Sequence, residues 1–261
     1  MTGVTGRDAV PGYTLAVEGR MRRFGVVLVV LALVAGKASA GGSGLGLNFS
    51  QADLDALTDV LGDVASFPNL GTAAPGGLAG FQVVAAAGGP QIDTNSRWWP
   101  YVPHTNLVGD VLVGQRVIVR KGLPARLDVG AQVGKVLGDQ FWGADLRWAF
   151  MEAGTLQPAA AVRVAYSQID SSILDRLEVG EVQLVASKGF PIVKLYGAVG
   201  YRRVEGRATF GDPMPLAHSS TRTGATATLG AQLTILPFLH LVGEARHGAN
   251  TCVFLGLGVG H

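Results

Sequence analysis

The ten residues 125–134 read ARLDVGAQVG, and their alternation decides how the rest of the chain is interpreted. Apolar side chains occupy the odd positions of this stretch, and polar or small side chains occupy the even positions. A period of two residues places the two sets on opposite faces of a β-strand. Because Arg126 and Asp128 share one face and the other face carries no charge, the stretch predicts a strand between a polar and an apolar environment.

The same alternation recurs from residue 78 to the end of the chain. It predicts ten strands, at 78–87, 106–119, 125–135, 141–151, 158–167, 177–187, 192–202, 221–234, 238–246 and 251–260. The connections alternate in kind. Short turns are predicted at 120–124, 152–157, 188–191 and 235–237, and the other connections are 88–105, 136–140, 168–176, 203–220 and 247–250. Residues 78–261 are therefore predicted to form one all-β domain.

Charge is confined to one face of these predicted strands. The opposite face departs from this only at Lys135 and Glu178, which lie near predicted loops. A Lys or Arg facing lipid at mid-membrane would cost about 2–4 kcal/mol. The pattern favours an up-and-down antiparallel transmembrane β-barrel of about ten strands with its polar face inside, and a secreted β-sandwich is the alternative. The predicted lumen charges are nine basic and five acidic residues: Asp110, Arg116, Arg120, Arg126, Asp128, Asp145, Arg147, Arg163, Glu181, Lys194, Arg202, Arg222, Glu244 and Arg246.

A secretory signal peptide is predicted over residues 21–40. Two arginines precede an apolar run at 24–36, which is shorter than the ~20 residues that a membrane helix needs. The run is followed by small residues that are typical of cleavage after Ala40. Residues 1–20 precede a better start at Met21 and are interpreted as an extension from a mis-called start codon.

Composition and charge exclude several classes of protein. Charged residues make up 15% of the 261 residues and hydrophobic residues 48%, which excludes a highly charged, disordered chain. The single Cys excludes an internal disulfide and a cysteine-cluster metal site. Five of the 21 basic and two of the 19 acidic residues lie in residues 1–40. Residues 41–261 therefore carry 16 basic and 17 acidic residues. No nucleic-acid partner is therefore inferred.

The N-terminal segment 41–77 contains one predicted helix, at about 50–66. Ser50 is suited to cap it, with Asp53 at the third helical position. Leucine and valine recur at helical spacing on one side, and residues 71–77 are interpreted as a linker. The other side of the helix is acidic, so its negative charge is opposite to the net positive charge of the predicted lumen. We therefore hypothesise that the helix plugs the barrel or caps its periplasmic mouth, and a free periplasmic helix is the alternative. The acidic residues are Asp53, Asp55, Asp59 and Asp63.

The C-terminal strand from Val253 to His261 resembles the last strand that the barrel assembly machinery recognises in outer-membrane barrels. It differs in ending with His261 where an aromatic residue is usual. The resemblance implies insertion by that machinery and contact with outer-membrane lipid. Several further motifs resemble a family of proteobacterial outer-membrane barrel proteins with no assigned activity, and they imply a bacterial outer-membrane location only. These motifs are Gly80-Phe81, Ile92-Asp93-Thr94-Asn95-Ser96, Arg120-Lys121-Gly122-Leu123-Pro124, Asp128-Val129-Gly130 and Ser187-Lys188-Gly189-Phe190.

Two interpretations of the lumen follow from its charges. A closed or narrow barrel whose charges pair with one another would have a structural role. A narrow pore with a weak anion preference would conduct a small solute.

Two further roles remain open. A lipid or peptide hydrolase at the outer rim would need a base, and His218 beside Ser219 or His247 near Asn250 are the candidates, but no catalytic residue is assigned. An adhesin or ligand-binding barrel would use the loops 88–105 and 203–220, the first of which contains Arg97-Trp98-Trp99-Pro100-Tyr101. No cofactor and no metal site are predicted, and the oligomeric state is left open.

Overall fold

The computed structural model describes residues 50–96, 99, 107–154, 157–171, 174–210 and 216–260. The predicted signal peptide, its cleavage point after Ala40 and the extension at 1–20 lie outside these residues. The described chain forms one helix and twelve strands. The helix α1 spans Gln51–Ala65, and the strands are β1 (Phe81–Pro90), β2 (Leu107–Val108), β3 (Val111–Leu112), β4 (Gly114–Gly122), β5 (Leu127–Val136), β6 (Asp139–Met151), β7 (Ala159–Asp170), β8 (Arg176–Gly189), β9 (Val193–Phe210), β10 (Leu216–Leu236), β11 (Leu239–His247) and β12 (Thr251–Gly260).

Ten of the described strands close into a single antiparallel barrel. Each strand from β4 to β12 pairs with the next one, and β1 lies between β12 and β4. Val83, for example, pairs with Val259 on one side and Val119 on the other. The short strands β2 and β3 form a separate hairpin. The predicted all-β, up-and-down barrel with one N-terminal helix is therefore confirmed.

The two ends of the barrel differ, and we name them from the chain. The lower end carries the start of β1 and the end of β12, where Gln82 pairs with Gly260. The upper end is the opposite one. The hairpin of β9 and β10 projects there, because β10 pairs with β9 from Leu216 but with β11 only from Ala227 onward.

The connection predicted at 203–220 is mostly strand, so its prediction as a long loop is wrong. β9 continues to Phe210 and β10 begins at Leu216. On β9 the outward-facing side chains here include charged ones such as Arg203, while inward-facing ones such as Val204 are buried. Alternation therefore persists above the level at which the exterior is apolar.

Other predicted boundaries at the upper end also shift. The connections predicted at 136–140 and 168–176 are reduced to 137–138 and 171–175, because the neighbouring strands are longer than expected. The predicted strand 106–119 enters the barrel only at Gly114, since the residues before it form the β2–β3 hairpin.

Helix α1 lies inside the barrel, toward the upper end. Ser50 and Asp53 form a reciprocal capping box at its first turn. The apolar stripe of the helix packs against inward-facing residues of the wall, such as Phe141, Val179 and Val204. Burying each such side chain contributes about 1.5–3 kcal/mol. The helix is therefore part of the barrel core. Its stripe residues, each at most 1% exposed, are Leu54, Leu57, Leu61 and Val64.

The residues after the helix continue down the barrel as an irregular stretch, 66–77. Phe67, Leu70 and Ala73 are buried in the interior clusters of the barrel. The interpretation of 71–77 as a linker is wrong, because its main chain is hydrogen-bonded to the barrel wall. We call residues 50–77, the helix and the irregular stretch together, the lumen segment.

The outer surface of the barrel is apolar over its middle, and we call this surface the apolar band. Toward the upper end Trp142 packs on Tyr166, with 5.7 Å between ring centroids. Toward the lower end Trp148 packs on Phe150 at 6.2 Å. Between these levels large apolar side chains face outward and remain about half exposed. They include Val119, Val133, Leu146, Val164, Val182, Leu184, Leu195, Val199, Leu229, Leu241, Leu255 and Leu257.

We expect Gly230→Ala to destabilise the barrel, because Tyr196 lies directly over this glycine. A Cβ atom on Gly230 would lie 2.1 Å from Cζ of the Tyr196 ring. Overpacking of this kind costs about 1–3 kcal/mol, and urea unfolding followed by tryptophan fluorescence measures it. Gly224→Ala is the matched control on the same strand, since nothing lies within 4 Å of its added Cβ atom. Equal stability of the two variants would contradict this packing.

Candidate functional site: the filled lumen

Six arginines project from the barrel wall into the interior. Strand alternation directs them inward, and each is at most 6% exposed. They come from five different strands, so they surround the lumen segment. They are Arg116 and Arg120 on β4, Arg147 on β6, Arg163 on β7, Arg202 on β9 and Arg246 on β11.

Arg116 caps the C-terminal end of the helix. Its Nη2 donates to the Val64 carbonyl at 2.7 Å, and its Nη1 donates to the Ser66 carbonyl at 2.7 Å. The Ala65 carbonyl accepts from Gln132 Nε2 at 3.1 Å. The last carbonyls of a helix have no partner within the helix, and the last turn of α1 has no basic residue of its own. The wall therefore supplies the donors that the helix lacks.

Further arginines donate to the main chain of the irregular stretch. Arg163 Nη2 lies 2.9 Å from the Phe67 carbonyl, and Arg120 Nη2 lies 3.2 Å from the Pro68 carbonyl. Arg147 donates to the Thr72 carbonyl. These carbonyls belong to no helix or sheet, so their partners must come from side chains. Arginine suits this task because it has several N–H donors and no acceptor.

Acceptors on the wall bind the N–H groups of the same stretch. Glu244 accepts from the main-chain nitrogens of Leu70 at 2.8 Å and Asn69 at 3.2 Å. Ser187 Oγ accepts from the Ala73 nitrogen at 2.9 Å. The wall therefore holds both the donors and the acceptors of the irregular main chain.

The buried charges of the wall also pair with one another. Asp145 Oδ2 lies 2.7 Å from Arg163 Nε and 3.2 Å from Arg120 Nη2. Arg246 lies between Glu181 at 3.7 Å and Glu244 at 3.5 Å. Removing one member of a buried pair leaves an uncompensated charge, so single substitutions in this network destabilise the fold.

The acidic side of the helix meets basic and polar groups of the upper wall. Asp63 pairs with Arg202 and accepts from Asn250 Nδ2 at 2.8 Å. Asp59 accepts from Arg222 Nε at 3.0 Å. The helix is therefore oriented with its carboxylates toward donors from β9, β10 and the turn before β12.

The first turns of the helix are tied to the projecting hairpin. Ser220 Oγ donates to Asp55 at 2.6 Å, and this hydrogen bond lowers the pKa of Asp55. Burial raises the pKa of Asp59. Gln51 Nε2 donates to the Ser219 carbonyl at 3.2 Å, which places the start of the helix at the upper end.

Phe67 lies between two guanidinium groups at the centre of the barrel. The Cζ atoms of Arg163 and Arg120 lie 5.0 and 5.4 Å from the centroid of its ring. Cation–π contacts of this kind strengthen when both partners are desolvated. The aromatic side chain therefore fills space between like charges and stabilises them.

The structure divides the predicted lumen charges into three groups. Lys194 and Arg222 occupy inward-facing positions near the lower and upper ends and stay exposed. Asp110 and Arg126 lie outside the lumen, because turns interrupt the alternation there. Asp110 lies between β2 and β3, and Arg126 adopts a left-handed φ of 61° and pairs with Glu152 at 2.7 Å. The other ten are buried in the interior: Arg116, Arg120, Asp128, Asp145, Arg147, Arg163, Glu181, Arg202, Glu244 and Arg246.

The upper interior is apolar, although the sequence predicts polar side chains along the whole lumen. The helix is enclosed by buried aliphatic and aromatic side chains. The leucine stripe of the helix was the signal that could have revealed this, because such a stripe requires an apolar partner. The wall residues concerned include Val136, Phe141, Ile169, Val179 and Val204.

The residues considered for catalysis lie in or beside strands. The Nδ1 atom of His247 lies 3.1 Å from Thr251 Oγ1, and Asn250 Nδ2 donates to Asp63 at 2.8 Å. His218 and Ser219 are consecutive residues of β10, so their side chains point to opposite faces of the strand.

The loop considered for adhesion is described in part. Trp99 packs against the cluster around the helix, which places it at the upper opening of the lumen. Arg97, Trp98, Pro100 and Tyr101 lie outside the described residues.

No group of three or more His, Cys, Asp or Glu side chains among the described residues is placed to hold a metal ion. None of the described helices combines the length and the apolar character needed to cross a bilayer.

Comparison with known proteins adds solved structures of similar fold. No protein-family model and no curated protein matches the chain. The N-terminal β-barrel domain of OprF from Pseudomonas aeruginosa aligns with 71% of this chain and 99% of its own, at 9% identity and a TM-score of 0.37. Ail from Yersinia pestis, in complex with the heparin analogue sucrose octasulfate, aligns over 69% and 97%, at 13% identity and a TM-score of 0.33. The KdgM porin in complex with disordered oligogalacturonate aligns over 68% and 98%, at 6% identity and a TM-score of 0.37.

We expect Glu244→Gln to destabilise the folded chain by about 3 kcal/mol, because Arg246 loses a buried partner and the lumen segment loses a charged acceptor. Urea unfolding measures the loss, and limited proteolysis detects release of the segment. Glu205→Gln is the control, since Glu205 pairs with Arg203 on the exposed outer face. We expect its effect to stay within about 0.5 kcal/mol. Similar effects of both variants would show that the segment does not depend on Glu244.

Proposed function

We propose that this chain is an integral outer-membrane β-barrel protein whose lumen is sealed by its own N-terminal segment. The apolar band supports the membrane location. Monomeric soluble proteins rarely expose contiguous apolar patches larger than a few hundred Å². Here the apolar side chains face outward from most strands, while the buried interior carries the charges. This distribution is the reverse of that in a water-soluble β-sandwich and suits a lipid environment.

The proposal that the barrel is sealed rests on the hydrogen bonds that hold the main chain of the lumen segment to the wall. Arg116, Arg163 and Phe67 lie near mid-barrel and are at most 1% exposed, so water does not reach them. Solute that crossed the barrel would have to displace the segment from its arginine partners. We therefore favour a closed barrel with a structural role over an open pore.

A gated channel is the second candidate role, and the polar lower wall favours it. If the segment withdrew, the buried wall charges would line a wettable passage with six basic and four acidic residues. The charge excess would give weak anion preference. Opening would require loss of the Arg116 and Glu244 contacts together.

The proposed orientation follows from the longer structure at the upper end. Outer-membrane barrels have short periplasmic turns and longer extracellular loops, and here the longest connection between barrel strands, 91–113, and the projecting β9–β10 hairpin lie at the upper end. The lower end, where β1 begins and β12 ends, then faces the periplasm, and the upper end faces outward. Ser50 would lie on the outer side, because Gln51 contacts Ser219 of the projecting hairpin. We further propose export by the signal peptide at 21–40, cleavage after Ala40, insertion by the barrel assembly machinery, and outer-membrane lipid as the surrounding partner.

Planar-bilayer recording tests the seal. We expect the chain from residue 41 onward to give no stepwise current, and a variant lacking residues 50–76 to give discrete openings. The reason is that the deletion leaves a charged, hydratable lower lumen. Heat-modifiable gel migration establishes that the shortened chain still forms a barrel. A folded, shortened barrel without current would contradict the proposed seal.

Epitope tags test the location and the orientation. We expect a tag inserted directly before Ser50 to bind antibody on intact cells, and a tag after His261 to bind only after the outer membrane is permeabilised. Fractionation should recover both tagged proteins with the outer membrane. Recovery as a soluble protein would contradict the membrane proposal, whereas reversed tag accessibility would contradict the orientation alone.

A further inference from the structure

A cavity of about 250 Å³ opens at the lower mouth, between the lumen segment and the wall. Its charged lining is mostly basic, with Arg120, Arg147 and Lys194 against the single carboxylate of Asp128. The polar side chains of His240, Gln82, Gln232, Thr72 and Thr234 also line the cavity. The cavity is therefore small, polar and electropositive.

Arg120 lines this cavity and has N–H donors without a hydrogen-bond partner. Its side chain is 6% exposed, and its Nη2 donates to Asp145 and to the Pro68 carbonyl. Its Nη1 and Nε have no hydrogen-bond partner among the described residues, and neither has Nε of Arg147. A buried donor without a partner costs about 1–3 kcal/mol. Arg120 is therefore poised to donate to an acceptor.

The single carboxylate of the lining, Asp128, offsets only part of the positive charge of Arg120, Arg147 and Lys194. Asp128 Oδ1 already accepts from the Gly76 nitrogen at 3.0 Å, so it serves to hold the lumen segment. A larger residue than Gly71 would crowd Arg120 Nη1, since a Cβ atom at position 71 would lie 3.3 Å from that nitrogen.

Lys194 adds an exposed positive charge to the lining of the cavity. It occupies an inward-facing position of β9, opposite Gln232 on β10, and stays exposed. It takes part in none of the ion pairs found among the described residues. Its ammonium group can therefore approach a ligand from the side opposite Arg120.

We propose that the lower mouth binds a small oxyanion, carried by a phosphate or carboxylate group, between Arg120 and Lys194. Arginine binds such groups through parallel N–H donors, and lysine adds a point charge. The volume is below the roughly 300–1,000 Å³ typical of pockets for larger ligands, so the ligand is a small molecule. The site needs only the folded barrel with its lumen segment in place, and it depends neither on a membrane location nor on the seal.

Isothermal titration of the refolded chain in detergent tests the site, with inorganic phosphate and with acetate at fixed pH and ionic strength. We expect saturable binding of at least one of them, and the stronger of the two defines the ligand class. Lys194→Gln should weaken binding roughly tenfold, which corresponds to about 1.4 kcal/mol. Lys188→Gln is the matched control, because Lys188 lies at the same end on the neighbouring strand but donates to the Gly154 carbonyl. Its affinity should equal that of the unaltered chain.

Arg120→Lys provides a second, independent variant. It keeps the positive charge beside Asp145 but removes the unpartnered Nη1 and Nε donors, so binding should weaken more than in Lys194→Gln. Heat-modifiable migration shows that each variant is folded. The proposal is overturned if the unaltered chain binds neither ion, or if Lys194→Gln and Lys188→Gln change the affinity equally.

Discussion

The structure depends on hydrogen bonds between the arginine side chains of the wall and the main-chain carbonyls of the lumen segment. Inside a closed barrel neither bulk water nor a neighbouring strand can satisfy an irregular main chain. Arg116, Arg163 and Arg120 supply the missing donors, and Glu244 accepts from the N–H groups. The dependence is mutual. Without the segment the guanidinium groups would face one another across the lumen with too few acceptors.

The composition of the wall follows the secondary structure of the segment it encloses. Helix α1 satisfies most of its own backbone groups, so the upper wall around it is apolar and packs against Leu54, Leu57 and Leu61. The irregular stretch 66–77 satisfies few of its own backbone groups. The lower wall around it therefore carries charged side chains that bind these groups. Arg116 lies at the change from one half to the other, where the last helical carbonyls need donors.

Much of this fold follows from sequence periodicity. Two parts of it do not, and each was missed for a physical reason. Alternation over residues 78–261 predicts the barrel, and the spaced leucines with a Ser50 cap predict the helix. The strands of 203–220 were missed because β9 carries charged outward side chains such as Arg203 there, so the apolar outward face that marks the other strands is absent. The irregular stretch was missed because its contacts are made by main-chain atoms, which are the same in every residue and leave no side-chain pattern.

The order of elements in the chain explains how such a segment comes to be enclosed. The lumen segment precedes β1, and the barrel closes only when β1 pairs with β12, the last strand. Every wall donor and acceptor that holds the segment lies between these two strands in sequence. The wall can therefore assemble around the segment, and no threading through a closed ring is needed. Filling of the lumen then accompanies closure of the barrel, because the wall and the segment satisfy one another's buried polar groups.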